Sequence, residues 1–402
     1  MTRGLVVLVW VAACTAPGGT APSTAEDDAG PGERLGAPIV ELRTCEAGTT
    51  ASVCGQYARS VAFHRTWLYV GSNGPGQDMG PSWASVTQLG RDGRAVGGFA
   101  LPEDDLGLGA TLAVVGDVTG NGVDDLVLGH PEPGRIAIVD PSEEEVDGRA
   151  VLRGLSTAGS GADRAAACGD LTGDGRTDLC TTSGVWQGPV EAESAPLVAW
   201  EAIAAIAAAD LDGDGGVELL LGGDRGVWHL DGLGGLTGQV ALDPLGHHLP
   251  APEPVVGLAA RRPEGGGRFG YVMAAASVAW VVDGDPGGTS LRPIHSGSVE
   301  ALAMGDFDGD GVDDLVVGGD SVLTWYAGPL FDRPEVTTGG DVVQPDWPTG
   351  VYHGPDWPAD GLGAALAVAD TDGDGIDELA VTAPGVGTGR VWWLSALAPT
   401  EP

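Results

Sequence analysis

Residues 305–319 read GDFDGDGVDDLVVGG. Asp306, Asp308 and Asp310 stand at alternate positions with glycines at 309 and 311, and a further carboxylate follows at Asp314. Like charges this close repel one another, so something must offset the repulsion. Apolar runs flank the cluster: ALAM (301–304) before it and DLVVGG (314–319) after it. Short apolar runs bounded by glycine-rich turns read as buried strands, so the acidic segment reads as the loop joining two strands.

The segment is a repeat. Related stretches are GDVTGNGVDDLVLG (116–129), GDLTGDGRTDLC (169–180), ADLDGDGGVELLLGG (209–223) and ADTDGDGIDELAV (369–381). Their leading aspartates, Asp117, Asp170, Asp210, Asp306 and Asp370, are 53, 40, 96 and 64 residues apart. The long interval leaves room for a copy without aspartates, and VVGLAARRPEGGGRFGYVMAAASVAWVV (255–282) fits it. SVAFHRTWLYVGSNG (60–74) is a second degenerate copy, ahead of the first acidic loop. Seven units of this length, each supplying three apolar runs and room for a fourth, predict an all-β, seven-bladed β-propeller over residues 38–398. A parallel β-helix needs shorter and more uniform repeats. The 69 glycines and 28 prolines suit short strands and tight turns and exclude a helical bundle.

The loop pattern carries chemistry. Counting from the leading aspartate, side-chain oxygens fall at positions 1, 3, 5 and 9, with the position-7 carbonyl as a further donor. Calcium takes six to eight hard oxygen ligands at about 2.3–2.6 Å and tolerates an irregular cage. The candidate Ca2+ ligands are Asp306, Asp308, Asp310, the Val312 carbonyl and Asp314; Asp370, Asp372, Asp374, Ile376 and Glu378; and Asp210, Asp212, Asp214, Gly216 and Glu218. The other two loops offer Asp170, Thr172, Asp174, Arg176 and Asp178, and Asp117, Thr119, Asn121, Val123 and Asp125, with fewer carboxylates. An EF-hand loop begins with this spacing but needs flanking helices and a Glu at position 12, where this chain has Val317, Val381 or Leu221. The alternative is a set of Asp/Gly turns that bind nothing. Loops repeated in five units describe a scaffold, not five active sites.

The stretches LGAALAVADTDGDGIDELAVTAPG (362–385) and LGATLAVVGDVTGNGVDDLVLGHPEPG (108–134) resemble the FG-GAP repeats of the integrin alpha-subunit propeller and its bacterial relatives. Two departures are Leu-Gly for the leading Phe-Gly, and a trailing Gly-Ala-Pro kept only as TAPG (382–385). In integrin-like propellers, inter-blade connections opposite the calcium loops bind ligand. The resemblance thereby points to QPDWPTGVYHGPDWPADG (344–361), where Trp347, Tyr352, His353 and Trp357 form a candidate contact patch. The competing reading folds these tryptophans back over the blade edges.

The N-terminus supplies Arg3, an apolar stretch from Leu5 to Ala13 too short to span a bilayer, and then VAAC. Small residues before Cys14 resemble the lipobox of bacterial lipoproteins, which implies a signal peptide over 1–13 and lipid on Cys14. An ordinary secretion signal cut near Ala13 is the alternative; either implies export. Residues 14–37, polar and rich in Pro and Gly, read as a flexible tether. Four cysteines remain for an oxidising compartment. Cys168 and Cys180 fall where other units place apolar residues (Met304 and Val316, Val368 and Ala380) that are expected to face each other across the strand pair, and Cys45 and Cys54 are close in sequence, so two disulfides are expected. PIVELR (38–43) is expected to complete the last blade and join the chain ends.

A net charge of −38 argues against nucleic acid or an anionic lipid surface as partner. No zinc pattern, nucleophile elbow or phosphate-cradling loop occurs: His247–His248 is an isolated pair and GSGAD (159–163) lacks the elbow pattern. The sequence thus predicts a non-enzymatic, calcium-binding scaffold at the cell envelope, with an envelope protein or glycan as partner. A polysaccharide-active propeller enzyme and a purely structural envelope protein are the alternatives.

Overall fold

A computed structural model describes residues 9–10, 33–35, 40–43, 56–73, 85–100, 109–129, 135–141, 153–156, 164–191, 194–212, 214–233, 235, 237–240, 242, 247–260, 270–283, 290–331, 337–338, 341–342, 348–355, 361–384 and 388–397. Every regular element among them is a strand. Seven sheets, each with an antiparallel core of four strands, follow one another along the chain; each core runs in sequence order from an innermost to an outermost strand, except where the last blade borrows its fourth, and short strands extend the third sheet (Gly238–Gln239, parallel to Val198–Ala199) and the sixth.

The first blade is Gln56–His64, Trp67–Asn73, Ser85–Leu89 and Ala95–Ala100. The second is Thr111–Gly116, Asp125–Gly129, Arg135–Val139 and Arg153–Ser156. Ala165–Ala167, Leu179–Thr181, Gly184–Trp186 and Val198–Ala199 make the third. Ile203–Ala209, Glu218–Gly223, Gly226–Leu230 and His247–Pro250 make the fourth. The fifth, built from the degenerate copy, is Gly257–Ala260, Gly270–Ala275, Val278–Asp283 and Ser290–Ser296. The sixth is Ala301–Gly305, Asp314–Gly319, Val322–Tyr326 and Gly350–His353. The seventh joins Leu366–Ala369, Glu378–Ala383 and Thr388–Leu394 to Val40–Arg43 from the other end of the chain. Each innermost strand touches the next, and Leu366–Ala369 touches Gln56–His64, so the ring is closed and the fold is a seven-bladed β-propeller.

Packing explains the sequence of each blade. Seven innermost strands crowd around one axis, which favours small side chains such as those of Ala165–Ala167 and of Gly257, Ala259 and Ala260. The third strands of the last five blades carry Trp186, Trp228, Trp280, Trp325 and Trp392, all buried. They fill the wedge that opens between blades away from the axis: Trp325 of the sixth blade shares a core with Leu379 and Trp392 of the seventh. At the closure, Phe63 of the first blade meets Trp393 of the seventh edge-on, with ring centroids 5.0 Å apart.

Close backbone approach explains the glycine ending the second strand. A Cβ on Gly318 would lie 2.1 Å from the Gly363 carbonyl oxygen, where the chain enters the seventh blade. Gly363 itself has φ +87°. The Leu-Gly that leads the repeat is therefore a packing device: Leu362 is buried, and its glycine lies against the preceding blade's glycine. Gly318→Ala is expected to destabilise by about 3 kcal/mol, because backbone cannot move aside as a side chain can. Gly373→Ala, left-handed at φ +79° but in open space, is expected to cost only roughly 1–2 kcal/mol. Thermal melts of the two variants check the order.

Cys168 and Cys180 are buried and disulfide-bonded, spanning the acidic loop of the third blade. Cys14, Cys45 and Cys54 lie outside the described residues. The stretch read as a tether is not wholly free: Glu33–Arg34 pair in parallel with Tyr352 and His353, and Leu35 N–H donates to His353 O at 2.9 Å. An outermost strand presents unpaired backbone groups, and the nearby chain adds to it. Val9–Trp10 likewise pair with Leu302 and Ala301 on the sixth blade's innermost strand. Tyr352 and His353 are buried within the sixth blade's fourth strand, which corrects their assignment to a contact patch. They belong to the strand core, as does Gly350. Trp347 and Trp357 lie outside the described residues.

Candidate metal centres in the blade loops

The five acidic loops each join the first strand of a blade to the second, so the ring symmetry places them on one face. Their local geometry is shared. The position-7 N–H donates to the position-5 side chain in every copy: Val123 to Asn121 at 2.8 Å, Arg176 to Asp174 at 2.9 Å, Gly216 to Asp214 at 2.6 Å, Val312 to Asp310 at 2.8 Å and Ile376 to Asp374 at 2.8 Å. The leading aspartate caps the turn: Asp306 accepts from Gly309 N–H at 2.8 Å and Gly311 N–H at 2.9 Å. Gly311 has φ +81° with open space where a Cβ would stand, so glycine is needed for its conformation and not for room.

Position 9 is buried in all five loops. Asp125 and Asp178 are 0% exposed, Glu218 4%, Asp314 0% and Glu378 2%. A buried carboxylate is unfavourable unless it is protonated, well hydrogen-bonded or paired with positive charge. Burial is the leading cause pushing Asp314 and Glu218 each up to about 7 and Asp125 up to about 6.

The loops divide by what surrounds this buried group. In the three with aspartate at position 3, carboxylate oxygens converge. One oxygen each from Asp210, Asp212 and Glu218 lie within 4.8 Å of one another, as do those of Asp306, Asp308 and Asp314, and of Asp370, Asp372 and Asp374. Oxygens on opposite sides of one calcium ion are about 4.6–5.2 Å apart, so a single ion fits each trio by size and by donor type. Asp214, Asp310 and Glu378 stand outside these trios. Here the position-9 group accepts from the position-2 amide, as Asp314 does from Phe307 at 3.1 Å; it also accepts from Gly328 N–H at 2.7 Å.

Where position 3 is threonine, the loop is rearranged. Asp125 accepts from Thr119 N–H at 2.8 Å and from its hydroxyl at 3.3 Å; Asp178 accepts from Thr172 N–H at 2.8 Å and from its hydroxyl at 3.4 Å. Asp170 accepts three backbone bonds, from Gly173, Asp174 and Gly175; burial pushes its pKa up, but these bonds outweigh it and hold the group below the ordinary value. In the second blade, Asp117 accepts from Asn121 and Gly122 N–H, each at 2.8 Å, and Asn121 donates to Asp140. Neither loop gathers three carboxylates, so protein donors here take up capacity that a cation would use.

Several contributors carried no local signal. Arg91, from the first blade, donates to Asp372 at 2.8 Å and Glu378 at 3.0 Å in the seventh. Asp377 accepts from Asp306 N–H at 2.9 Å, tying the seventh loop to the sixth. Partnership across hundreds of residues is visible only once the ring is built.

A pH dependence arises from the buried carboxylates. A folded-state pKa raised above the unfolded value means the folded state holds the proton more tightly. That contribution is fully present below about pH 4 and is lost as pH rises through about 7, the value reached by Asp314 and Glu218. Cation-stripped protein is therefore expected to melt lower at pH 7.5 than at pH 5. Saturating calcium, which favours the ionised form, is expected to flatten or reverse the slope. Melting curves at both pH values, with and without calcium, check this.

Residues 362–393, which span the seventh loop and its flanking strands, match the family model of the FG-GAP repeat. Among solved structures the chain is similar to the crystal structure of the V. cholerae biofilm matrix protein Bap1. Identity is 13%, over 91% of this chain and 88% of that one, with a TM-score of 0.43. No curated protein matches the chain.

Proposed function

We propose that this seven-bladed propeller, whose last blade matches the FG-GAP repeat, is an exported, calcium-stabilised scaffold that binds a protein or glycan of the cell envelope. The observation that carries the reading is the three carboxylate trios at equivalent loops of the fourth, sixth and seventh blades. Calcium would be held by Asp210, Asp212 and Glu218; by Asp306, Asp308 and Asp314; and by Asp370, Asp372 and Asp374. Bound there, it neutralises clustered charge and stiffens one face of the ring. Extracellular modules work with calcium sites of about 10⁻⁴–10⁻³ M, which suits an exported protein.

The alternative, a polysaccharide-active enzyme, needs a carboxylate pair. Among the described residues, no innermost strand carries an Asp or Glu, so these strands supply no carboxylate pair for glycoside hydrolysis. Screening the protein against glycan and envelope-protein arrays, with calcium and after chelation, tests the proposal. Calcium-dependent capture is the expected result; turnover of a polysaccharide would replace scaffold with enzyme. The lipid anchor on Cys14 is part of the same proposal. Cys14→Ser is expected to release a soluble protein or leave the precursor uncut, and unchanged membrane fractionation would remove the anchor from it.

A further inference from the structure

Among the described residues, Glu378 is the one position-9 carboxylate paired with a cationic side chain. Its partner, Arg91, stands in the turn between the third and fourth strands of the first blade. Three local bonds fix that turn: Gly90 N–H to Arg94 O at 3.0 Å, Gly93 N–H to Gly90 O at 2.9 Å, and Arg94 N–H to Asp92 Oδ1 at 3.0 Å. Turns joining third to fourth strands emerge on the same face as the acidic loops. The first and seventh blades are neighbours across the closure, so the guanidinium reaches the seventh loop directly.

The contacts fall on candidate ligands. Arg91 Nη1 donates to Asp372 Oδ2 at 2.8 Å, and Nη2 to Glu378 Oε1 at 3.0 Å and to Ser395 Oγ at 2.8 Å. Asp372, at loop position 3, belongs to the seventh trio; Glu378, at position 9, stands outside it and shares the same guanidinium. The other oxygen of Glu378 accepts from Thr371 N–H at 2.7 Å and its hydroxyl at 2.6 Å, leaving Oε1 turned to the guanidinium. The equivalent groups differ: Asp314 turns its oxygens to Phe307 and Gly328 amides, and Glu218 accepts from Leu211 N–H. The Arg91 side chain stays 46% exposed, so leaving the loop does not strand it in the core.

We propose that Arg91 is a tethered competitor for the seventh loop's cation site: calcium loads this loop by displacing the guanidinium from Asp372 and Glu378, releasing the first blade's turn from the seventh blade. The proposal rests on the calcium reading of the loops. It makes the seventh site weaker than the same loop would be without Arg91, and it places a calcium-sensitive contact at the junction where the ring closes. Loading the seventh loop exchanges one cation for another.

The test isolates the seventh loop in the full chain. Asp212→Asn with Asp308→Asn weakens the other two trios. In that background, calcium binding is measured by isothermal titration with and without Arg91→Met, which keeps an apolar stem and removes charge and donors. Tightening of about tenfold is expected, the scale of losing one competing charge-assisted contact. Arg91→Lys, which keeps charge without the fork, is expected to fall between and serves if Arg91→Met folds poorly. Hydrogen exchange of residues 90–94 supplies a readout independent of affinity: saturating calcium is expected to speed it in the isolated-loop protein. Calcium uptake by the unmutated chain with no tightening in Arg91→Met, or with unchanged exchange, overturns the competition alone. Weaker binding in Arg91→Met makes Arg91 a support of the site and also overturns it. No calcium uptake in any variant overturns both this and the calcium reading.

Discussion

Chelation of the native protein is expected to lower its melting temperature on the order of 5–10 °C. A ligand bound only by the folded state stabilises it by about 2.7 kcal/mol per site at a hundredfold excess over Kd. Two sites, at the fourth and sixth blades, supply roughly twice that, and a chain of this size unfolds with an entropy that converts it to the stated shift. Asp308→Ala sharpens the test because its sign depends on the cation. Asp308 lies in the trio with Asp306 and Asp314, and its pKa is raised by burial first and then by neighbouring carboxylates. In calcium the variant is expected to lose most of one site's increment. In chelator it is expected to melt no lower than the unmutated protein, because a repelling charge has gone. Thr119→Ala removes only a 3.3 Å hydroxyl contact to Asp125 and is expected to shift the melt by far less in either condition. A melt indifferent to chelation, with no calcium found by elemental analysis, would reduce the loops to turns.

The repeat was legible because a β-propeller writes each blade locally. Loop, second strand and third strand lie within about two dozen residues, so DFDGDGVDDLVVGG and the nearby VLTWY (322–326) display most of one blade in a single stretch. The disulfide was legible for the same reason, since Cys168 and Cys180 flank one loop. The three loops with four carboxylates are also those in which carboxylate oxygens converge. What the count could not reveal is why threonine closes a loop, because the Thr172 hydroxyl and the Asp178 carboxylate meet only in the folded turn. Tryptophan on successive third strands marks the blade period, in the degenerate fifth unit as well. Tyr352 and His353 misled because a fourth strand is the least regular part of a blade, and exposure cannot be read where alternation is short. Arg91 lay beyond reach: its partner is 281 residues away, and GRDGR (90–94) looks like any polar turn.

Deleting residues 38–43 is expected to open the ring. Val40–Arg43 pair with Thr388–Val391 in antiparallel register, Val40 opposite Val391 and Arg43 opposite Thr388. This is where the chain's two ends hold each other, and every other blade takes its four core strands from one continuous stretch. Four pairs at roughly 1 kcal/mol of net hydrogen bonding each come to about 4 kcal/mol. The larger consequence is topological. Without the borrowed strand, Thr388–Leu394 becomes a seven-residue free edge, and long unprotected edges recruit other chains. Beneath it lies the contact of Trp393 with Phe63 that seals the first blade to the seventh, so loosening the edge weakens the closure itself. The deleted protein is expected to melt lower and to elute as higher oligomers, whereas replacing residues 15–30 with a Gly/Ser segment of equal length leaves the strand pairing in place. A synthetic peptide of residues 36–45 added during refolding is expected to restore the elution of the unmutated protein, because the missing contribution is a strand and not a covalent link. A monomeric deletion variant with an unchanged melt would show that the ring is held by blade-to-blade packing alone.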